Sequence, residues 1–340
     1  MEQIDLFVSG QGGYHTYRIP SLLATQRGSL LAFCEARRNS RSDSGDIDLA
    51  LRRSADGGRT WSEMQIIADM GRDVIGNPCP VQDRATGTIW LPLCSNLAEG
   101  EESKIVVGEA PRTVWMMKSD DDGATWSEPV EITPQVKRPE WTWYATGPGH
   151  GIQLQSGRLL IPCDYAVGTP DKEYRHFGSH VIYSDDHGAT WHIGGTILGQ
   201  VNECQAAQLD DGTVYLNLRA YHGRNRRAVA WSQDNGDTWS EVRLDLALIE
   251  PICQAGLLHL PGDRVLFSNP ASTRRERITV RLSEDRCRTW SAGRLLWAGP
   301  SAYSDLALAP DGRICCLYER GEEHPYERIS LARFPLGRLA

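Results

Sequence analysis

The chain is predicted to be all-β, a six-bladed β-propeller, on three observations. An octapeptide, Ser-x-Asp-x-Gly-x-Thr-Trp, occurs five times. A short apolar run, usually opened by glycine, occurs six times. A second apolar segment precedes every octapeptide and appears once more near the C-terminal end. Repeats of this length, each with several short strands and no amphipathic helix, are what blades around a central channel require.

The octapeptides read SADGGRTW (Ser54–Trp61), SDDDGATW (Ser119–Trp126), SDDHGATW (Ser184–Trp191), SQDNGDTW (Ser232–Trp239) and SEDRCRTW (Ser283–Trp290), the last with Cys287 in place of glycine. Their spacings are 65, 65, 48 and 51 residues. Each reads as a hairpin turn. The Ser and Asp oxygens accept turn N–H groups, the glycine takes a positive φ, and the tryptophan anchors the turn by packing. Five of the 11 tryptophans are thereby assigned to structure.

The apolar runs are GSLLAFCE (28–35), GTIWLPLC (87–94), GRLLIPCD (157–164), GTVYLNLR (212–219), GDRVLFSN (262–269) and GRICCLYE (312–319). The segments before the octapeptides are DIDLALRR, TVWMMK, SHVIYS, AVAWS and ITVRLS, and RISLARF (328–334) is the sixth. The N-terminal IDLFVS segment is expected to pair with the last blade and close the ring. Neither a linker nor a composition shift divides the chain, so residues 1–340 read as one domain.

Composition excludes other classes. No apolar run approaches the roughly 20 residues of a spanning helix, so no membrane span is expected. The formal net charge of -8, without a basic stripe, disfavours nucleic acid as a partner. The nine cysteines are odd in number, form no CxxC and mostly sit inside apolar runs, which points to buried thiols. No cofactor or metal is expected, because the octapeptide acids are committed to turns. The N-terminus, MEQIDLFVSGQGG, has neither a basic nor a long apolar segment. The expectation is a cytoplasmic protein, or a secreted one if a leader was trimmed.

Aligning the six repeats on their apolar runs sets other residues in register. About nine residues before each run lies a segment expected to line the channel: near Arg18, Asn77, Pro148, Glu203, Gln254 and Tyr303. The runs end at Glu35, Cys94, Asp164, Arg219, Asn269 and Glu319, which come to the same rim. Connections into the third strands add Arg37, Asp43 and Arg275. Taken singly these are ordinary residues. An arginine at a strand end is usually a surface charge, Tyr303 suits a core, and Asp43 suits a turn cap. Their shared register argues for a site at one mouth of the channel.

The chemistry of that set is specific. Several guanidinium groups in one hollow match a carboxylate bidentately. Glu319 would hold Arg18 in place. Asp43 would be a general acid if burial raises its pKa. Tyr303 with Glu203 forms a nucleophile–base pair, because a phenol of unperturbed pKa near 10 needs a neighbour to take its proton. A neutral nucleophile suits a reacting carbon that carries a carboxylate.

The chain resembles the exo-α-sialidases (neuraminidases) of the Asp-box, BNR-repeat family, of the cellular and bacterial type close to the lysosomal-type enzymes. The resemblance rests on YRIP at Tyr17–Pro20, EAR followed by Asp43, GPGHGIQL, NECQ and NLR spaced by 16 residues, FSNP followed by RERITVRLS, and AYSDL with LYERG. It spans nearly the whole chain and implies a six-bladed propeller that hydrolyses terminal α-linked sialic acids from glycans with retention. It implies Arg18, Arg219 and Arg275 on the substrate carboxylate, Tyr303 as nucleophile, Glu203 as its base and Asp43 as acid/base. Glu319 would brace Arg18, and Arg37 would meet the substrate near the carboxylate or the C4 hydroxyl. Trp143 and Tyr144 would wall the glycerol tail or the aglycone. Two competing readings are a silent, glycan-binding propeller and a glycosidase for a related sugar, such as deaminated sialic acid. The paired Tyr303 and Glu203 count against the first.

Overall fold

The computed structural model describes residues 1–168 and 176–339. The leading strand is β1 (Glu2–Val8). Blade one contains β2 (Thr16–Ala24), β3 (Leu30–Arg37), β4 (Ile47–Ser54) and β5 (Gln65–Ala68). Blade two contains β6 (Val74–Gly76), β7 (Val81–Gln82), β8 (Ile89–Asn96), β9 (Thr113–Ser119) and β10 (Val130–Glu131), with the short helices α1 (Glu102–Val106) and α2 (Thr133–Val136). Blade three contains β11 (Trp141–Thr146), β12 (Ile152–Gln153), β13 (Leu159–Val167), β14 (Phe177–Ser184) and β15 (His192–Leu198). Blade four contains β16 (Val201–Gln208), β17 (Val214–Ala220), β18 (Arg226–Ser232) and β19 (Arg243–Ile249). Blade five contains β20 (Gly256–Leu260), β21 (Arg264–Pro270), β22 (Glu276–Ser283) and the first half of β23 (Arg294–Leu308). The second half of β23 opens blade six, followed by β24 (Arg313–Arg320) and β25 (Arg328–Pro335).

The ring closes as the sequence suggested. β1 pairs antiparallel with β25, from Glu2 opposite Arg333 to Val8 opposite Arg328. Blades one and two also touch through a parallel pairing of Ile47 with Val74.

Each octapeptide forms the same turn. In the first, the Ser54 Oγ accepts from the Gly58 N–H at 2.8 Å, and Asp56 accepts from the Thr60 N–H and hydroxyl at 2.9 and 2.6 Å. The fifth keeps this geometry without its glycine. Cys287 takes φ +61° and donates its N–H to the Ser283 Oγ at 2.9 Å. The tryptophans wedge towards the preceding blade. The Trp126 ring meets Phe33 edge-on at 5.6 Å, and Trp191 meets Trp90 at 6.2 Å.

The apolar core accordingly lies between blades. Six large clusters each join two consecutive blades, such as Leu6, Phe7, Leu22, Leu317 and Leu331 between the sixth and the first. All nine cysteines are buried and free. Sheets packed this way leave their inner strands facing a common channel, and three of those strands carry the same bulge near one mouth. The register shifts fall between Arg18 and Ser21, Val201 and Cys204, and Ser301 and Ser304. A bulge re-aims a side chain, and these three redirect Arg18, Glu203 and Tyr303.

Candidate active site

Glu319 clamps two of these bulges together. It is fully buried at the end of β24. Its Oε1 accepts from the Arg18 Nε at 3.0 Å and the Ile19 N–H at 2.9 Å. Its Oε2 accepts from the Tyr303 N–H at 3.0 Å and the Arg18 Nη2 at 3.4 Å. These bonds satisfy N–H groups that the bulges release from the ladder. Ile19 consequently holds φ +60°, an outlying backbone for a β-branched residue.

The Tyr303 hydroxyl donates to the Glu203 Oε1 at 2.5 Å. Arg219 donates from one nitrogen to the other Glu203 oxygen at 2.7 Å and to the Tyr303 hydroxyl at 3.1 Å. Burial and the Glu203 charge push the Tyr303 hydroxyl well above the ordinary phenol range, against the pull of Arg219 and Arg275. Tyr303 is therefore a neutral phenol with an acceptor already in line.

Arg275 reaches the same hollow from the connection into β22. It donates to the Tyr326 hydroxyl at 2.5 Å, and its guanidinium lies 5.6 Å from the Tyr303 ring centroid. Its neighbours face elsewhere: Arg274 is exposed and pairs with Glu276, and Arg277 is exposed. The Arg18 guanidinium lies 3.8 Å from the Tyr326 ring centroid, so Tyr326 sits between two of the arginines.

On the opposite wall, Arg37 donates to Glu35 at 2.6 Å and to the Arg41 carbonyl at 2.7 Å. It also pairs with Asp43 at 2.6 Å, while Arg18 lies 3.5 Å from the same carboxylate. Glu35 is seated by the Asn77 N–H at 3.0 Å. The Asp43 side chain is 63% exposed at the rim. The raised carboxyl on which its role as an acid was made conditional is not found. Desolvation in the cleft does raise the carboxyl, but the Arg37 and Arg18 guanidinium groups outweigh it and bring the carboxyl down to about 2.

These groups line one cleft of about 290 Å³ containing Arg18, Arg37, Asp43, Glu203, Arg219, Arg275 and Tyr303. Glu319 stands behind it as the clamp. Of the two aromatic residues proposed as a wall, only Trp143 lines the cleft, where its Nε1 donates to Asp164 at 2.9 Å. The assignment of Tyr144 to the pocket is corrected. Adjacent strand residues face opposite ways, and Tyr144 points into the core, with its hydroxyl on the Cys163 sulfur at 3.5 Å.

The sequence reading omitted Arg112, Tyr221 and Tyr326 and gave Asp164 a place on the rim but no role, and all four line the cleft. The Arg112 guanidinium stacks 4.2 Å from the Trp143 ring centroid and donates to Asn77 at 2.5 Å. It occupies the connection into the third strand of its blade, the position that singled out Arg37 and Arg275. Asp164 is fully buried, and burial followed by the Glu203 charge pushes its carboxyl well above the usual range.

Comparison with known proteins shows the family. Residues 28–316 match the family of BNR repeat-like domains. The chain is 32% identical to a sialidase of Bacteroides fragilis, over 93% of this chain and 62% of that one. It is 33% identical to a sialidase of Micromonospora viridifaciens, over 96% of this chain and 53% of that one. It is 33% identical to sialidase-3 of Mus musculus, over 94% of this chain and 91% of that one. The chain thus spans less than two thirds of the two bacterial relatives. Among solved structures, a Hadza microbial sialidase superposes with a TM-score of 0.89 at 31% identity, over 99% of this chain and 69% of that one. Five repeated turns, a bulged inner rim and full-length likeness to sialidase-3 converge: the chain belongs to the sialidase family of BNR-repeat β-propellers.

Proposed function

We propose that the protein is an exo-α-sialidase, acting on terminal α-linked sialic acids of sialylated glycans with retention of configuration. The observation that carries this reading is the 2.5 Å hydrogen bond from the Tyr303 hydroxyl to Glu203, set among guanidinium groups. Arg18, Arg219 and Arg275 receive the substrate carboxylate. Tyr303 attacks the anomeric carbon as its proton passes to Glu203. The phenol is neutral before the attack and, with its proton on Glu203, its oxygen is neutral after it, so the substrate carboxylate does not repel it. Asp43 protonates the glycosidic oxygen as its bond to the anomeric carbon breaks and the aglycone leaves; it then takes a proton from the water that displaces Tyr303, whose oxygen regains its proton from Glu203, as retaining glycosidases require of an acid/base residue.

Arg37 and Arg18 hold Asp43 ionised, so it must gain a proton when substrate binds. The incoming carboxylate adds negative charge and competes for Arg18. Both effects favour the protonated acid.

The test is release of a fluorophore from an aryl α-sialoside, with Tyr303→Phe and Asp43→Ala as controls. Turnover by the unaltered protein and loss of at least about 1,000-fold in Tyr303→Phe are expected, in the range for removing a catalytic nucleophile. Well-folded protein that turns over no sialoside would overturn the reading. Turnover of the deaminated sugar alone would reassign the substrate.

A further inference from the structure

The motif GPGHG, residues 147–151, contributes no residue to the proposed reaction except through its place in the fold. It forms a loop between β11 and β12, at the centre of the ring, and every other blade is bonded to it. From blade one, the Ser21 hydroxyl donates to the Gly149 carbonyl at 2.8 Å. Towards blade two, the Gly151 N–H donates to the Pro80 carbonyl at 2.9 Å. Blades four and five donate to the Pro148 carbonyl, from the Gln205 Nε2 at 2.9 Å and the Gln254 Nε2 at 3.1 Å. In blade six, Asp305 meets the His150 Nδ1 at 2.9 Å. His150 and Asp305 are both buried.

The glycines of the motif follow from this crowding. Gly149 holds φ +119°, and a Cβ there would lie 2.5 Å from the Gln205 Nε2. A Cβ on Gly151 would lie 2.9 Å from the Leu160 carbonyl oxygen.

Two of the bonded partners lead straight to the nucleophile. Asp305 is two residues after Tyr303 on the same strand, and its other oxygen accepts from the Leu22 N–H at 2.8 Å. Gln254 accepts from the Ser304 N–H at 3.0 Å and donates to the Ser304 carbonyl at 3.0 Å, directly after the bulge that aims Tyr303. The loop thus fixes the backbone below Tyr303 from two sides, while Glu319 fixes it from above.

We infer that the GPGHG loop is the axle of the propeller, and that His150, through its bond to the buried Asp305, is a positioning residue for Tyr303. The inference rests on the sialidase reading for its kinetic consequence but not for its geometry. It excludes a purely structural part for the loop, in which its loss would lower stability and leave Tyr303 in place.

The experiment compares the unaltered protein with His150→Leu and His150→Asn. Asparagine keeps an N–H near the place of the histidine Nδ1, and leucine does not. Protein labelled with 13C at the tyrosine ring carbon bearing the hydroxyl gives a Tyr303 signal, assigned by its loss in Tyr303→Phe. That signal is expected to move in His150→Leu and to return towards its original position in His150→Asn. With an α-sialoside, His150→Leu is expected to lose about tenfold or more in kcat with KM within about threefold, and His150→Asn to recover most of the loss. Gln254→Met is the second variant should His150→Leu fail to fold, with the same expected displacement and fall in kcat. An unmoved Tyr303 signal and an unchanged kcat per folded molecule, with only a lower melting temperature, would overturn the axle. The signal is read whether or not the unaltered protein has activity. Absence of turnover would therefore contradict the sialidase reading, while the axle is judged on the signal.

Discussion

Tyr303 and Asp43 face opposite problems in the same cleft. Tyr303 keeps its proton too firmly, because burial and Glu203 raise it, and it is relieved by the acceptor 2.5 Å away. Asp43 loses its proton too readily, because Arg37 and Arg18 outweigh desolvation and hold it at about 2. Removing the cation at Arg37 raises the Asp43 carboxyl, so the acid stays protonated to higher pH. In Arg37→Ala, the falling alkaline limb of kcat for a sialoside with a poor leaving group should move upward by about one pH unit. A pH series on sialyllactose checks this, and a limb that stays put or moves down would contradict it. Arg219 bonds both members of the Tyr303–Glu203 pair and is proposed to receive the substrate carboxylate as well. Arg219→Ala should therefore lower kcat/KM by at least about 100-fold, as for loss of roughly 3 kcal/mol of charge-assisted bonding. A fall of less than about tenfold in the same steady-state assay would remove Arg219 from the carboxylate site.

Among the elements, the turn and the bulge do most to place side chains. The turn depends on local chemistry, and the third octapeptide gives a sharp test. Gly188 holds φ +91°, and a Cβ there would overlap the Trp90 ring. Gly188→Ala should cost about 1–3 kcal/mol in a denaturant titration while leaving kcat unchanged, since no octapeptide residue lines the cleft. Cys287 shows the limit of the rule. It bears φ +61° yet adds a buried side chain to the cluster containing Phe267 and Trp290, and that burial offsets the backbone cost. The same elements explain what the sequence made legible. Repeats put Arg18, Glu203 and Tyr303 in register because equivalent inner strands bulge at equivalent places. Tyr326 lies in an irregular connection, where no period points to it. Arg112 was within reach, since it stands in the same connection as Arg37 and Arg275. Trp143 and Tyr144 could have been separated by strand alternation. The depressed Asp43 carboxyl could not have been anticipated, because it depends on a 2.6 Å approach of Arg37 that spacing does not encode.

The whole molecule is a ring whose core is divided among the seams between blades, so closure carries much of its stability. β1 completes the sixth blade, adding Leu6 and Phe7 to the seam with the first. Asp5 pairs with Arg320 at 2.8 Å, and Glu2 with Arg333 at 2.9 Å. Deleting residues 2–8 should cost about 3–6 kcal/mol from the two apolar side chains alone and leave β25 as an open edge. A lower thermal midpoint and concentration-dependent aggregation are expected, and an unchanged midpoint would contradict the closure. The ring also accounts for the charge. With a formal net charge of -8, the bulk surface is acidic, while Arg18, Arg37, Arg112, Arg219 and Arg275 gather in one cleft, where Glu35, Asp43, Glu102, Asp164 and Glu203 also lie. Binding an anion depends on where those guanidinium groups converge rather than on the sum of charges.

In the proposed reaction Tyr303 becomes covalently bonded to the anomeric carbon of a sialic acid. Incubating the protein with a 2,3-difluorinated sialic acid and locating the adduct by peptide mass spectrometry tests it most directly. The expected result is one sugar adduct on the peptide containing Tyr303, absent in Tyr303→Phe, with loss of turnover in step with labelling. Sialoside turnover that survives Tyr303→Phe, or an adduct on any other residue, would contradict it.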